Sequence, residues 1–470
     1  MADLELCYMP ASLALELFRA RKLSPVEILK AQIERAEAVE PEVNAFCDRY
    51  FDEALGLARA SEERYGSTVG PIGPLDGLTC VIKDEIKLAG RVTTSGSYIY
   101  KDHVDERTDV FAERLIAAGA IIHARTAVPE FCLLGTCQSD LWGITRNPHH
   151  LDFTPGGSSG GTGASLAAGT TTLGTGTDIG GSVRIPAGCC GVVGLKAAYG
   201  RIPETPVMNL DFYSHSGPMT RTVRDCAMMY DVAAGPSERD IASLPQGARI
   251  GHVRGNLQGR KIAWSPDLAH FHIDEAVAQN TLAVVERARE LGAEVEQIDF
   301  PWDQSCDDAV MAYLDILWGQ HIRRLLPEHR DKMTAYALKT AEHSKQYDME
   351  DFVRSLEKAV EVYDVFAEQL KPFDAFICPT NAVPAVAADH DSWDEDFRIN
   401  DTVVNGEYGW VLTHPFNMLS RCPAMSVPSG KAPNGVPTGV QIVGKAYDEA
   451  AVFNVAAALE PAFGFSAPDL

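Results

Sequence analysis

Two serines stand at the two ends of a glycine-dense stretch: Ser158 in Gly156-Gly157-Ser158-Ser159-Gly160-Gly161, and Ser182 closing Gly176-Thr177-Asp178-Ile179-Gly180-Gly181-Ser182. A serine hydroxyl is a poor nucleophile until a positioned group accepts its proton. A backbone that turns tightly and aims several N–H groups at one point supplies the other half of acyl-transfer chemistry, a place for developing negative charge. Each glycine inside regular structure costs about 0.5–1 kcal/mol relative to alanine, so the run from Thr154 to Pro203 is tolerated only where the backbone itself has a task. A flexible linker is excluded by its order signals. ASLAAG reads as a small-residue helix, TTTLGTGT as a β-branched strand, and the apolar CCGVVGL follows. The stretch reads as the wall of an active site.

Several chemistries compete for these serines. Gly156-Gly157-Ser158-Ser159-Gly160 matches the G-x-S-x-G nucleophile elbow, which leaves an α/β-hydrolase-like esterase using Ser158 as an alternative. That motif needs a strand directly before the serine, whereas NPHHLDFTP is loop-like. The histidines downstream, from His270 to His414, lie in helices or loops without a distinguishing context. GGSSGGTG lacks the Gly-Lys-Ser/Thr ending of a phosphate loop. His270-x-His272 and His149-His150 read as polar residues rather than metal pairs, and no metal or cofactor is expected. The remaining partner is Lys83, at the end of the apolar strand Leu78–Ile82. At its ordinary pKa of about 10.4 a lysine is almost wholly charged at neutral pH. Burial lowers that value, and near about 7.5 roughly a quarter of the molecules hold a neutral amine able to act as a general base.

The elements that must position these groups follow from periodicity. Residues 11–65 form three amphipathic helices, the second opened by Ser24-Pro25. A helix over 108–119, a strand at AIIHARTA and the Gly/Ser stretch then alternate in the manner of an α/β layered fold with a central, mostly parallel mixed sheet covered by helices. RIGHVRG and KIAWSPD are strand or loop candidates, followed by a long helix closed at Gly292. Residues 306–370 are helical, FDAFICPT is a buried strand, 385–408 an acidic irregular loop, AMSVPSG and TGVQIVG a closing strand pair, and 448–459 a last helix. One domain spans 1–470: N-terminal helices to 68, a core over 69–235 that carries Lys83 and both serines, a helix-rich part at about 306–408, and closing strands over 420–470.

Composition sets outer bounds. The 470 residues are 46% hydrophobic and 23% charged, with a net charge of −24. That acidity argues against general affinity for nucleic acid or anionic membrane. The eleven cysteines form no CxxC and read as small core residues of a reducing compartment. With no signal-peptide pattern and no apolar run long enough to span a bilayer, the expected location is cytoplasmic.

PLDGLTCVIKD, then GGSSGG, then GTDIGGSVRIPAGCCGVVGLK, in that order, resembles the amidase signature family of amide hydrolases. The likeness extends to SPVEILKAQIERAEAVEPEVNAF, GAIIHARTAVPEF and the closing strands, and is least over 306–408. It implies a Ser-cisSer-Lys triad with Ser182 as nucleophile, Ser158 as the bridging serine after a cis Gly157–Ser158 peptide, and Lys83 as base. It also implies an oxyanion hole of the N–H groups of Ile179, Gly180, Gly181 and Ser182. Gly157, Ser159, Asp178 and Arg184 take supporting roles, Asp178 and Arg184 holding the loop's shape. Family habit adds a homodimer.

The chain departs from the family pattern at Ala197-Ala198 and at Ala124-Arg125-Thr126-Ala127. One branch is the glutaminase component of a tRNA-dependent amidotransferase, which carries an aspartate before its Thr-x-Pro-x-Asn segment. Here Trp410 precedes Thr413-His414-Pro415-Phe416-Asn417, an aromatic better suited to an apolar or aryl substrate. The expectation is a free-standing amidase acting on a small-molecule amide, with esters and hydrazides within its chemistry. The alternative is the amidotransferase component.

Overall fold

In the computed structural model, residues 2–67, 72–205, 208–245, 247, 249–251, 253 and 255–470 are described. Among them eleven strands form one sheet: β1 (Phe46–Arg49), β2 (Thr79–Lys83), β3 (Ile121–Thr126), β4 (Leu173–Asp178), β5 (Val193–Lys196), β6 (His215–Thr220), β7 (Lys261–Trp264), β8 (Glu294–Gln297), β9 (Ala375–Pro379), β10 (Ala424–Lys431) and β11 (Pro437–Val443). Their order across the sheet is β1-β3-β2-β4-β6-β5-β10-β11-β9-β7-β8. The sheet is mixed. Parallel pairings form two blocks, β3-β2-β4 and β9-β7-β8, and the strands between them run antiparallel. The antiparallel centre includes β10 and β11, which a short turn joins as a hairpin, the connection that only antiparallel neighbours allow.

Both faces are covered, which is why the strand Ala375-Phe376-Ile377-Cys378-Pro379 is apolar throughout. Ala375 and Ile377 face a cluster that includes Phe111, Val284, Val285 and Phe453 from helices Val110–Ala117, Glu275–Glu290 and Glu449–Phe463. Phe376 and Cys378 face the opposite cluster, with Phe366, Trp410 and Phe416. The same alternation aims the lysine. Cys80 and Ile82 belong to the first cluster, whereas Val81 packs with Ala164 and Ala168 of helix Gly160–Ala168. Lys83, two residues on from Val81, emerges on the face where the serine-bearing loop enters that helix.

The helices over 11–66 form as their periodicity predicts. Ser24 and Glu27 close a capping box on Pro25–Val43. Residues 304–370 are helical, the loop over 385–408 carries only the short hairpin Arg398–Ile399 with Thr402–Val403, and the closing helix runs Glu449–Phe463. Two strands, Phe46–Arg49 and His215–Thr220, and the helix Arg184–Cys190 had no sequence signal strong enough to place them. RIGHVRG forms no strand among its described residues, and the junction expected at 68/69 lies outside the described residues. Every cysteine is free, and all but Cys47 and Cys132 are buried. No helix among the described residues is long and apolar enough to cross a membrane.

Candidate active site

Lys83 is the last residue of β2, fully buried, and its backbone N–H donates to Thr175 Oγ1 of the neighbouring β4 at 3.0 Å. Its ammonium donates to Ser158 Oγ at 2.7 Å and to Thr177 Oγ1 at 2.5 Å. Glu85 lies 3.2 Å from the same nitrogen and also accepts from the Thr177 hydroxyl. Burial draws the lysine's pKa down, but the Cys132 sulfur, the Glu85 carboxylate and Asp178 push it up, and the balance lies above the ordinary lysine value. Burial also pushes the Cys132 thiol well up, so that sulfur is uncharged at neutral pH and Glu85 is the anion that counts. Glu85, although half-buried, is held below the usual carboxylate range by Lys83 and the Thr177 hydroxyl. This corrects the expectation of a neutral amine created by burial alone: the resting site holds a Lys83–Glu85 ion pair.

Ser158 follows a cis peptide from Gly157. A side chain at Gly157 has no room, since a Cβ there would sit 2.1 Å from the carbonyl oxygen of Thr136. Ser159 carries the two serine loops together: its N–H donates to the carbonyl of Ser182 at 3.2 Å, and its own carbonyl accepts from Gly163 as helix Gly160–Ala168 begins. Ser182 is 8% exposed. The backbone N–H groups of Ile179, Gly180, Gly181 and Ser182 donate to no acceptor among the described residues, although Gly181 and Ser182 are buried. Buried N–H groups are nearly always paired, so this loop stands out for presenting free donors. Gly181 is held at φ +131°, and a Cβ there would lie 1.9 Å from Thr413 Oγ1, the hydroxyl that donates to the Gly180 carbonyl at 2.7 Å.

Asp178 and Arg184 brace this loop from beneath. The guanidinium makes a two-pronged pair with the carboxylate, Nε to Oδ2 at 2.9 Å and Nη2 to Oδ1 at 2.8 Å, both side chains fully buried. Its remaining donors reach the Thr413 carbonyl, Gln441 Oε1 and Asn417 Oδ1, and Asn417 returns a hydrogen bond to Asp178 Oδ1 at 2.9 Å. Burial raises the Asp178 pKa, but the guanidinium and the Asn417 amide outweigh it and hold the carboxyl well below the usual range. Arg184→Ala strands this carboxylate in the core, and loss of one partner of such a pair costs about 3–5 kcal/mol. Urea unfolding is expected to show a midpoint well below that of the parent, and an unchanged midpoint would mean that the loop is held by other means.

Sequence reasoning did not single out Glu85, Thr177, Asn417 or Gln441, nor a role for Thr413. Glu85 and Thr177 sit beside motif residues, but only the folded strands show that both reach the lysine. Trp410 is 1% exposed and lies in the core, its ring edge 3.0 Å from where a Gly135 Cβ would stand. It lines none of the cavities described below, because the chain turns its side chain toward Gly135 rather than toward open space. His270 Nε2 and His414 Nε2 flank the Asp307 carboxylate at 2.9 and 2.8 Å. Among the described residues no group of three or more His, Cys, Asp or Glu could hold a metal ion. The segment leading into Ser158 is a loop rather than a strand, and the serine's partner is an amine rather than an imidazole.

One cavity borders this centre and a larger one lies on the far side of helix Gln304–Leu314. The larger, of about 680 Å³, lies between the helices over 304–347 and the loop over 392–409, with Asp307, Met311 and Tyr408 in its wall. Helix Gln304–Leu314, which contributes Gln304, Asp307 and Met311 to that wall, brings Leu314 to 3.8 Å from where a Gly180 Cβ would be, and no residue of 178–184 lines the cavity. The other, of about 270 Å³, has Glu85 and Thr177 in its wall.

A family model described as Amidase matches residues 27–453. The chain belongs to the amidase signature family. An acylamidase of Rhodococcus erythropolis is 32% identical over 94% of this chain and 92% of its own length. One component of the glutamyl-tRNA(Gln) amidotransferase of Symbiobacterium thermophilum is 31% identical over 94% of each chain. The solved structure of a bacterial aryl acylamidase of the amidase signature enzymes superposes with a TM-score of 0.89 at 28% identity, covering 97% of this chain and 96% of that one. The protein is thus an amide C–N hydrolase of that family, with its α/β fold.

Proposed function

We propose that this chain is a free-standing amidase that cleaves a small-molecule carboxylic amide through an acyl-enzyme on Ser182. The Ser182 hydroxyl attacks the carbonyl carbon while its proton passes to Ser158 Oγ, and the Ser158 proton passes to the neutral form of Lys83. The oxygen's negative charge is met by the N–H groups of Ile179 to Ser182. Collapse of the tetrahedral intermediate breaks the C–N bond as Lys83 returns a proton through Ser158 to the departing nitrogen. Water then enters by the same relay, releasing the carboxylate. The observation that carries this reading is the 2.7 Å contact from Lys83 Nζ to Ser158 Oγ, made in full burial at the end of β2. We assign the acyl group to the side of helix Gln304–Leu314, whose Asp307 and Met311 wall the 680 Å³ cavity and whose Leu314 lies beside Gly180.

The likeness to an amidotransferase component supports a second reading, a glutaminase that works only within a complex. The two separate cleanly with the purified chain alone. Hydrolysis of an anilide such as acetanilide, with glutamine left intact, is expected. Glutamine turnover that appears only on adding the other amidotransferase components, with no anilide hydrolysis, would overturn the free-standing amidase.

A further inference from the structure

We propose that the 270 Å³ cavity beside Lys83 is a subsite for the amine half of the substrate, and that it selects an amine half bearing a positive charge. The inference rests on the amidase reading above. The proton that expels the leaving nitrogen comes from Ser158 and Lys83, so the amine half must lie on their side of the scissile bond. The cavity meets that requirement, because two of its wall residues, Glu85 and Thr177, are the partners of the lysine's own ammonium.

Its chemistry is unusual for a pocket of this size. Three carboxyl groups, Glu85, Asp109 and Glu204, line it together with the rings of Tyr100, Phe131 and Trp318. Glu204 is 8% exposed, and neither of its carboxylate oxygens has a hydrogen-bond partner among the described residues. The Ser214 and Ser216 hydroxyls stand close enough to favour its ionised form but do not offset its burial. Desolvation by burial pushes its carboxyl up to about 8, so it carries a proton at neutral pH that an arriving cation displaces. Such a group is costly to bury unpaired, and an ammonium satisfies it. The positive groups nearby do not cancel this preference. Lys87 is exposed, Lys83 is already engaged by Glu85, and burial together with Arg324 lowers the pKa of His321, leaving its imidazole neutral. Aromatic faces beside carboxylates are the surroundings an organic cation favours.

The test compares two acetanilides of similar size, one with a 4-aminomethyl group, protonated at neutral pH, and one with a 4-ethyl group. The expected kcat/KM ratio favours the cationic amide by about tenfold, the worth of one charged hydrogen bond. Glu204→Gln, and independently Asp109→Asn, are expected to bring that ratio toward unity. Benzylammonium is expected to bind the parent in a calorimetric titration, with proton release, and to bind Glu204→Gln more weakly. A preference for the neutral anilide, or a cationic preference that both variants retain, would overturn the proposal. If neither anilide is hydrolysed, the amidase reading fails, while the titration still decides the cavity: no benzylammonium binding to the parent ends the inference.

Discussion

Ser182→Ala is expected to reduce kcat/KM for an anilide by about 10⁴-fold or more, as removal of a covalent nucleophile does elsewhere, with an unfolding midpoint close to that of the parent. The loss is large because nothing else in the loop can form the acyl bond, and the fold is spared because the hydroxyl makes no hydrogen bond among the described residues that the loop depends on. The loop's tie to Ser159 runs through the Ser182 backbone carbonyl, which alanine keeps. Residues acting as one unit are non-additive, so Lys83→Met placed on top of Ser182→Ala is expected to cost little more. A double variant far slower than Ser182→Ala would mean that the lysine serves a second route.

Lys83→Met alone is expected to lower kcat/KM by about 10³–10⁴-fold, the scale of a lost general base. The pH dependence tells more about mechanism. Glu85 stabilises the ammonium, so the fraction of Lys83 able to accept a proton grows as pH rises, and the rate climbs toward alkaline pH. Glu85→Gln keeps the shape and removes the charge that holds the proton on. The Lys83 pKa then falls, and the rising limb of kcat/KM is expected to move to lower pH. A limb that stays in place would show that Glu85 does not govern the lysine's protonation.

The segments that carry Lys83, Ser158 and Ser182 and the layered fold were legible in the sequence because glycine density and alternating apolar runs are local signals. The Gly157 and Gly181 positions illustrate this: each meets another part of the chain so closely that no side chain fits, and the composition betrays it. What the sequence left dark depends on partners far along the chain. Glu85 reads as one more charge in Lys83-Asp84-Glu85 until β2 and β4 align and Thr177 bridges it to the lysine. Arg184 reaches Thr413, Asn417 and Gln441, more than two hundred residues away, and no spacing within the motif announces that. Trp410 misleads for the reverse reason. An aromatic residue near a motif suggests a substrate wall, whereas this ring lies in the core against Gly135 of a distant loop.

The most direct observable is the residue on which the acyl group comes to rest. The purified enzyme, mixed with a 4-nitrophenyl ester of a slowly deacylating acyl group, quenched in acid and digested, is expected to carry the acyl mass on the peptide containing Ser182, with none after Ser182→Ala. An acyl group found on the Ser158 peptide instead, or steady amide turnover by Ser182→Ala at the parent's rate, would contradict it.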